Sequence, residues 1–354
     1  MGLDHESSPD IKSKGKKVRN DEAFSRSIIE HRNRVSAAKP MSEPADVPYK
    51  DALLPLSPSK KIPTRVYRPY SLRDKNTLLP TIFYVPGTAF VASEIAFTNI
   101  ICSHLAKKSG CQLIVINHSL APENQFPYGL YEAYATLKFL LSSPSSLYHI
   151  DKQKNILVGY SSGGNIAASM ALKASLDNLP LSRQMLISPI VDLSRSLRAF
   201  RDDFEEMDTT ITESFVEWFL ELYVPSGINK QNKWLSPFFQ TDNTCRKLPP
   251  TDIVFAEFDR FRSDAEAYYS KLSTCGVPVS EFMINNEDHS FLWYKLEIVK
   301  TLGNRINYVF NESISASLRN SNMMIFINPN KSEISEDLEN AELQVVEQKI
   351  RSKL

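Results

Sequence analysis

The sequence predicts an α/β protein in which a mostly parallel central sheet is covered by helices on both faces. Seven short runs rich in β-branched and aromatic residues follow one another between residues 62 and 284, which is typical of buried strands. Helical segments lie between most of these runs. Hydrophobic residues make up 42% of the 354 residues and charged residues 23%, so there is enough apolar material for a large core.

The predicted elements alternate along the chain. The first is a short helix at Phe24–Arg32, followed by the first strand from Ile62. The remaining strands are expected at 81–85, 112–117, 155–159, 184–188, 252–256 and 279–284. The helices between them are expected at 99–108, 128–141, 165–176 and 263–275, where apolar residues recur at helical spacing.

Composition divides the chain into three parts. Residues 1–62 are polar, with a basic run at 11–19 and several prolines, and we interpret them as a partly disordered arm that can contribute to a cap. A basic patch that binds a partner is the alternative for this run. Residues 63–320 form the main α/β domain. Residues 321–354 form an acidic tail with one apolar run, interpreted as an appendage with a short helix.

Segment 193–235 interrupts the alternation of strands and helices. It contains a helical stretch at 212–224 in which Phe215, Trp218, Phe219 and Leu222 share one face. This pattern fits an ordinary amphipathic helix, and it equally fits a lid over a binding site.

Charge and cysteine content exclude several classes of function. Lysine plus arginine equals aspartate plus glutamate, 41 each, whereas a nucleic-acid-binding protein normally has a basic excess. The four cysteines are scattered, and neither C-x-x-C nor H-E-x-x-H occurs, so a zinc hydrolase is not expected. The chain shows no apolar run of about 20 residues and no signal-peptide core, so we expect a soluble intracellular protein without an integral membrane segment.

The last three residues, Ser352-Lys353-Leu354, match the peroxisomal address. In a eukaryotic host they predict a peroxisomal location. In a bacterial host the match is coincidental, and the expected location is cytoplasmic or that of a type IV secreted protein.

The decisive motif is Gly159-Tyr-Ser161-Ser-Gly163, placed after one predicted strand and before a predicted helix. A G-x-S-x-G turn holds its serine on a sharp bend, so that the hydroxyl projects from the edge of the sheet. The following helix N-terminus favours negative charge that develops beside the serine. The motif and its context therefore predict a nucleophilic serine.

A nucleophilic serine needs a base and an acid that orients it, in the chain order serine, acid, histidine. His289 is the one histidine after Ser161, and it follows the last predicted strand. Asp259 follows the strand at 252–256 and is the favoured acid, because side chains at the carboxyl ends of strands converge on the site. The competing acids are Glu257, Asp264 and Asp288, and Asp264 is interpreted as a charge on the helix surface.

These motifs resemble those of the hormone-sensitive-lipase-like esterases, which have the α/β-hydrolase fold. The segment Ser119-Leu-Ala-Pro-Glu-Asn-Gln-Phe-Pro is similar to their R-L-A-P-E-x-x-F-P, and Gly-Tyr-Ser161-Ser-Gly-Gly-Asn to their G-D-S-A-G-G-N. Matching segments at 186–192, 235–238 and 256–268 follow in the same order, so the resemblance covers about residues 60–315. It implies a triad of Ser161, Asp259 and His289, a cap from 193–235 and the N-terminal segment, no cofactor, and small ester substrates of short to medium acyl chain.

One motif departs from the family. The H-G-G-G loop, whose backbone amides form the oxyanion hole, is here Pro86-Gly87-Thr88-Ala89. The resemblance assigns the hole to the amides of Thr88, Ala89 and Ser162. We expect that Thr88 and Ala89 cannot adopt glycine-only backbone angles, so the loop weakens catalysis. The family's D-Y-R is also replaced, by Asn117-His118-Ser119, and His118 is interpreted as a structural substitute.

The sequence leaves three functions open. The first is a serine carboxylesterase or lipase-like hydrolase, which the complete set of triad residues favours. The second is a catalytically weak or non-catalytic binding member of the same family, as in the plant gibberellin receptor, which the altered oxyanion loop favours. The third is an amidase or peptidase that uses the same triad. Neither the natural ester nor the oligomeric state follows from the sequence.

Overall fold

Nine strands form one sheet in the part of the chain that the computed structural model describes, which is residues 22–38, 43–57, 60–72, 77–87, 89–93, 95–144, 148–195, 211–311 and 324–327. Their spatial order is β1-β2-β4-β3-β5-β6-β7-β8-β9. The strands are β1 Tyr49–Ser57, β2 Lys60–Tyr67, β3 Leu79–Val85, β4 Gln112–Val115, β5 Ile150–Tyr160, β6 Arg183–Ile187, β7 Thr251–Ala256, β8 Val279–Ile284 and β9 Met324–Ile327.

The sheet is mostly parallel, as the sequence predicts. Strand β2 pairs antiparallel with both β1 and β4, and every other pair of neighbours is parallel. The strands β4, β6 and β7 are buried at every residue, because helices cover both of their faces.

The helices lie on the two faces of this sheet. They are α1 Glu22–Ala37, α2 Ile95–Ser109, α3 Tyr128–Ser142, α4 Ser162–Leu176, α5 Glu213–Tyr223, α6 Asp242–Cys245, α7 Arg262–Thr274, α8 Phe291–Tyr294 and α9 Leu296–Phe310. Successive side chains of a strand point to opposite faces. In β3, Phe83 therefore belongs to the core cluster under α3, α4 and α7, and Ile82 to the cluster under α2 and α9.

Two strands were not predicted from the sequence. Residues 49–57, assigned to the polar arm, form β1 and pair with β2 from Tyr49–Tyr67 onward. Residues 324–327, assigned to the C-terminal appendage, form β9 and pair with β8. The interpretation of this run as part of an appended short helix is wrong for these four residues. Strand β9 is therefore part of the same sheet as the strands of the main domain.

The N-terminal helix α1 packs against α5, the helix of segment 193–235. Ile28 is buried in the core, and the His31 ring lies 5.1 Å from that of Trp218 and 5.3 Å from that of Phe215. Nε1 of Trp218 donates a hydrogen bond to Ser27 Oγ at 3.2 Å. Thr212 caps the N-terminus of α5, and its hydroxyl accepts a hydrogen bond from the Phe215 amide. The two helices together therefore form one layer, which we call the cap layer.

Several predictions concern residues outside the described ranges. They are the basic run 11–19, the acidic run within 333–347, the terminal Ser352–Leu354, and the part of segment 193–235 that spans 196–210. Among the helices that the structure describes, none combines the length and the apolar character needed to cross a bilayer.

Candidate active site

Ser161 lies on the predicted turn between β5 and α4, at the carboxyl edge of the sheet. Its backbone has φ 55° and ψ −121°, which is a strained conformation for a residue other than glycine. The glycines on either side make this turn possible. A Cβ at Gly159 would lie within 3.0 Å of the Gly163 carbonyl, and one at Gly163 within 3.0 Å of the Val85 and Pro86 carbonyls. The sequence motif is thus required by close approach of backbone to backbone.

The imidazole of His289 links the serine to an acid. Nε2 of His289 lies 2.8 Å from Ser161 Oγ, and Nδ1 lies 2.9 Å from Asp259 Oδ1. An ionised carboxylate can only accept, so Nδ1 carries a proton and donates it to Asp259. Nε2 is then the acceptor that faces the serine hydroxyl. The structure therefore brings together the serine, the histidine and the favoured acid from the ends of β5, β8 and β7.

Asp259 stays ionised although it is buried. Burial alone would raise its pKa, but the charge of His289, its hydrogen bond and the amide of Phe261 lower the pKa below the ordinary value. The Phe261 amide donates to Oδ1 at 2.8 Å. A carboxylate held ionised beside His289 stabilises the imidazolium that forms when the imidazole takes a proton.

Aromatic side chains hold the imidazole, and sequence reasoning did not find them. The ring of Tyr160 stacks on His289 at 5.7 Å, and its hydroxyl donates to the His289 carbonyl at 2.8 Å. The Phe261 ring meets the imidazole edge at 5.4 Å. Tyr160 occupies the variable position of the G-x-S-x-G motif, so a large aromatic residue there was the available signal.

Two of the competing acids accept hydrogen bonds from backbone amides close to His289 in the chain. Glu257 accepts a hydrogen bond from the Asn286 amide at 2.9 Å. Asp288 accepts one from the Ser290 amide at 2.8 Å. Both contacts shape the segment that carries His289, and in the structure the imidazole is oriented by Asp259.

The interpretation of Asp264 as a surface charge is wrong. Its side chain is buried, and Oδ2 accepts hydrogen bonds from the Val191 and Asp192 amides, each at 2.9 Å. Burial, together with the nearby Asp192 charge, raises its pKa to about 7 against the two amide donors that lower it. Asp264 joins the first turn of α7 to the loop after β6, which explains why a polar residue is buried there.

This burial predicts a pH dependence of folding stability. The folded pKa of Asp264 is about 7 and its unfolded pKa is 3.8, so the unfolded state binds fewer protons between these values. The contribution of protonated Asp264 to the free energy of unfolding is fully present below about pH 4. It is lost as the pH rises through about 7, by on the order of 4 kcal/mol. We expect that in Asp264→Asn, which keeps the accepting oxygen, the free energy of unfolding changes less with pH.

The measurement is urea unfolding at pH 5 and pH 7.5, with Asp46→Asn on the exposed surface as the matched control. The wild type should lose more stability than Asp264→Asn between the two pH values, and Asp46→Asn should behave as the wild type. Equal losses in the wild type and Asp264→Asn would contradict a buried, protonatable Asp264.

The loop 86–91, to which the sequence resemblance assigns the oxyanion hole and which is called the oxyanion loop below, lies directly against Ser161. A Cβ at Gly87 would lie 3.0 Å from the Ser161 Cβ. Thr88 is outside the described residues, but Ala89 has φ 48° and Phe90 has φ 64°. The expectation that Ala89 cannot adopt such angles is therefore wrong, although each left-handed residue costs about 1–2 kcal/mol. Packing supplies the compensation, because the Phe90 ring stacks on Tyr223 of α5 at 3.8 Å.

His118 does not join the triad. Its Nδ1 lies 2.9 Å from the Ser119 carbonyl, and burial lowers the pKa of its imidazole. Ser119 donates its amide to Glu132, which also binds Lys60 Nζ at 2.8 Å. These contacts fix the segment before Ala121 and agree with a structural role.

Comparison with known proteins identifies the family to which this fold belongs. A family model described as alpha/beta hydrolase fold matches residues 82–293. A putative alpha/beta hydrolase of Acanthamoeba polyphaga mimivirus is 31% identical over 66% of this chain and 66% of its own length. An arylesterase of Saccharolobus solfataricus is 29% identical over 66% of this chain and 73% of its own.

The fold is also that of a solved esterase. The structure from Pyrobaculum calidifontis superposes with a TM-score of 0.65 at 26% identity, covering 81% of this chain and 92% of that one. The family match spans more than half of the chain and includes both the serine turn and the histidine loop. The chain therefore belongs to the hormone-sensitive-lipase-like family of α/β hydrolases, and its relatives include carboxylic ester hydrolases.

Proposed function

We propose that the protein is a serine carboxylesterase that hydrolyses carboxylic esters of short to medium acyl chain. The observation that carries the proposal is the continuous line of hydrogen bonds from Asp259 through His289 to Ser161. All three side chains are buried, so the line is held in one arrangement. The relatives named as esterases support the same reaction.

The proposed reaction passes through an acyl-enzyme. Ser161 Oγ attacks the ester carbonyl while His289 Nε2 takes the hydroxyl proton, and the imidazolium is stabilised by Asp259. The bond to the alcohol breaks, and His289 returns the proton to the leaving alkoxide. Water then attacks the acyl-enzyme by the same route, which releases the carboxylic acid and restores the serine.

The negative oxygen of each tetrahedral intermediate needs donors. The Ser162 amide lies at the start of helix α4, and the Ala89 amide belongs to the oxyanion loop beside Ser161. The sequence assigns the Thr88 amide to the same loop, and Thr88 lies outside the described residues. We propose these amides as the oxyanion hole, with Ala89 and Ser162 as the donors among the described residues. Such donors act on charge that develops only in the transition state, so their effect appears in kcat.

A small cleft of mixed lining lies under helix α5, and we propose that its apolar side contacts the acyl group. It is lined by Val216, Phe219 and Leu220 of α5 and by Phe261, which touches the His289 ring. Two guanidinium groups, Arg195 and Arg260, reach the same cleft, where Glu213 is bound to Arg195 at 2.8 Å. Asp192 and Asp264 also line the cleft, so the side that suits an uncharged acyl group is the one formed by α5 and Phe261.

The test is a fluorophosphonate probe together with a series of p-nitrophenyl esters from acetate to laurate and one p-nitroanilide. We expect labelling of the folded protein and turnover that is greatest for the shorter esters. Absence of labelling above a denatured control would favour the non-catalytic binding member, which the altered oxyanion loop suggests. Faster turnover of the anilide than of the ester would favour an amidase.

A further inference from the structure

The guanidinium of Arg32, in the middle of α1, connects the N-terminal helix to the oxyanion loop. Nε donates to the Val91 carbonyl at 2.8 Å, and Nη2 donates to the Ala121 carbonyl at 2.9 Å. Nη1 and Nη2 also form a bidentate pair with the Glu123 carboxylate, at 2.7 and 2.8 Å. One side chain therefore reaches three residues that lie about 60 to 90 positions away in sequence.

The two carbonyls that Arg32 joins belong to loops that also bind each other. The Ala121 amide donates to the Phe90 carbonyl at 2.9 Å. The oxyanion loop is thus fixed to segment 121–123 at Phe90 directly and at Val91 through Arg32. Ala89 lies between Gly87 and these hydrogen-bonded residues. Its backbone, like that of Phe90, is in the left-handed region. Non-glycine residues keep that conformation only where their surroundings hold them in it.

Helix α1 is itself anchored, so Arg32 can act as a fixed support. Its Ile28 is buried, and its His31 and Ser27 contact Trp218 of α5. The Phe90 ring stacks on Tyr223 of the same helix α5. The cap layer therefore holds the oxyanion loop at two points, at Phe90 through its ring and at Val91 through the Arg32 guanidinium.

We propose that Arg32 is a positioning residue for the oxyanion hole, which makes the N-terminal helix a part of the catalytic apparatus and not only a cover over substrate. The proposal rests on the proposed function, because it assigns the Ala89 amide to the hole. An arginine is required for this role, since a planar fork reaches two carbonyls and a carboxylate at once and a lysine ammonium does not. Arg32 contacts no reacting atom.

The test measures kcat and KM on p-nitrophenyl acetate for the full chain and for Arg32→Ala, Arg32→Lys and Glu123→Gln. We expect kcat to fall about 10- to 100-fold in Arg32→Ala, below the 10²–10³-fold that loss of one donor causes, with little change in KM. Arg32→Lys should remain impaired, and Glu123→Gln, which leaves both carbonyl contacts, should lose less. Added guanidinium ion should partly restore Arg32→Ala. Arg34→Ala is the matched control, because Arg34 lies on the same helix with an exposed side chain.

Three outcomes would overturn the proposal. They are a folded Arg32→Ala with wild-type kcat, a rise in KM at constant kcat, and equal loss in Arg34→Ala. If Arg32→Ala does not fold, Arg32→Lys and Glu123→Gln decide by the same split between kcat and KM. Failure of the proposed function is separate, because it would appear as absent turnover and absent fluorophosphonate labelling in the wild type.

Discussion

Replacing Ser161 with alanine is expected to abolish labelling by a fluorophosphonate and to lower kcat for p-nitrophenyl esters by about 10⁴–10⁶-fold. The physical reason is that the acyl-enzyme cannot form without Oγ, which lies 2.8 Å from its base. The strained backbone at position 161 is accessible to alanine as it is to serine, so the protein should stay folded. Gel-based labelling and initial rates measure the two effects, and circular dichroism verifies the fold.

The matched control for this change is Ser175→Ala. Ser175 lies near the end of the same helix α4, and its hydroxyl donates to the Ala171 carbonyl within the helix. Labelling and turnover should be those of the wild type. Labelling that persists in Ser161→Ala would mean that another side chain reacts with the probe, and the catalytic assignment of Ser161 would be wrong.

Asp259→Asn is expected to lower kcat by about 10⁴-fold with the protein still folded. The amide nitrogen of asparagine is a donor, and it would face the Nδ1 proton of His289 that now points at Oδ1. The imidazole would then turn or take the other tautomer, with its Nε2 proton facing Ser161. The site would also lose the negative charge of the carboxylate, which stabilises the imidazolium. Initial rates on p-nitrophenyl butyrate between pH 6 and 9 measure the loss.

Asp288→Asn tests the specificity of that assignment. Asp288 is adjacent to His289 in sequence, and its Oδ1 accepts the Ser290 amide, a role that an asparagine oxygen can fill. We expect a change in kcat of no more than a few fold. A loss as large as that of Asp259→Asn would show that proximity in the chain, and not the contact with Nδ1, decides which acid acts.

The parts of the fold and site that could be predicted are those set by local patterns. The strand before Ser161 and the helix after it follow from apolar runs, and Gly159 and Gly163 mark a turn that few other residues permit. The order serine, acid, histidine left one histidine to consider. The structure accordingly brings Ser161, Asp259 and His289 together. Helix α9 also has a readable pattern, because Ile298, Leu302 and Ile306 recur at helical spacing, but it was not predicted.

The parts that could not be predicted depend on distant partners. Strand β1 contains Lys50, Asp51 and Pro55, which resemble a polar arm until β2 supplies its hydrogen bonds. Asp264 resembles a solvated helix residue until the amides of the loop after β6 enclose it. Arg32 is one of several basic residues near the N-terminus. What distinguishes it from the others is its contact with carbonyls far along the chain.

The position of the triad on the sheet has a further consequence. Tyr160, Ile187, Val254 and Phe282 lie side by side in one row across β5, β6, β7 and β8, and the three triad residues follow this row on the first, third and fourth strands. A slip of one residue between two of these strands moves a side chain by about 3.3 Å, which is more than a hydrogen bond tolerates. Turnover is therefore a label-free reporter of strand alignment in the middle of the sheet. During heating or refolding, the loss or the appearance of turnover marks the point at which the three pairings β5–β6, β6–β7 and β7–β8 are lost or are correct at once.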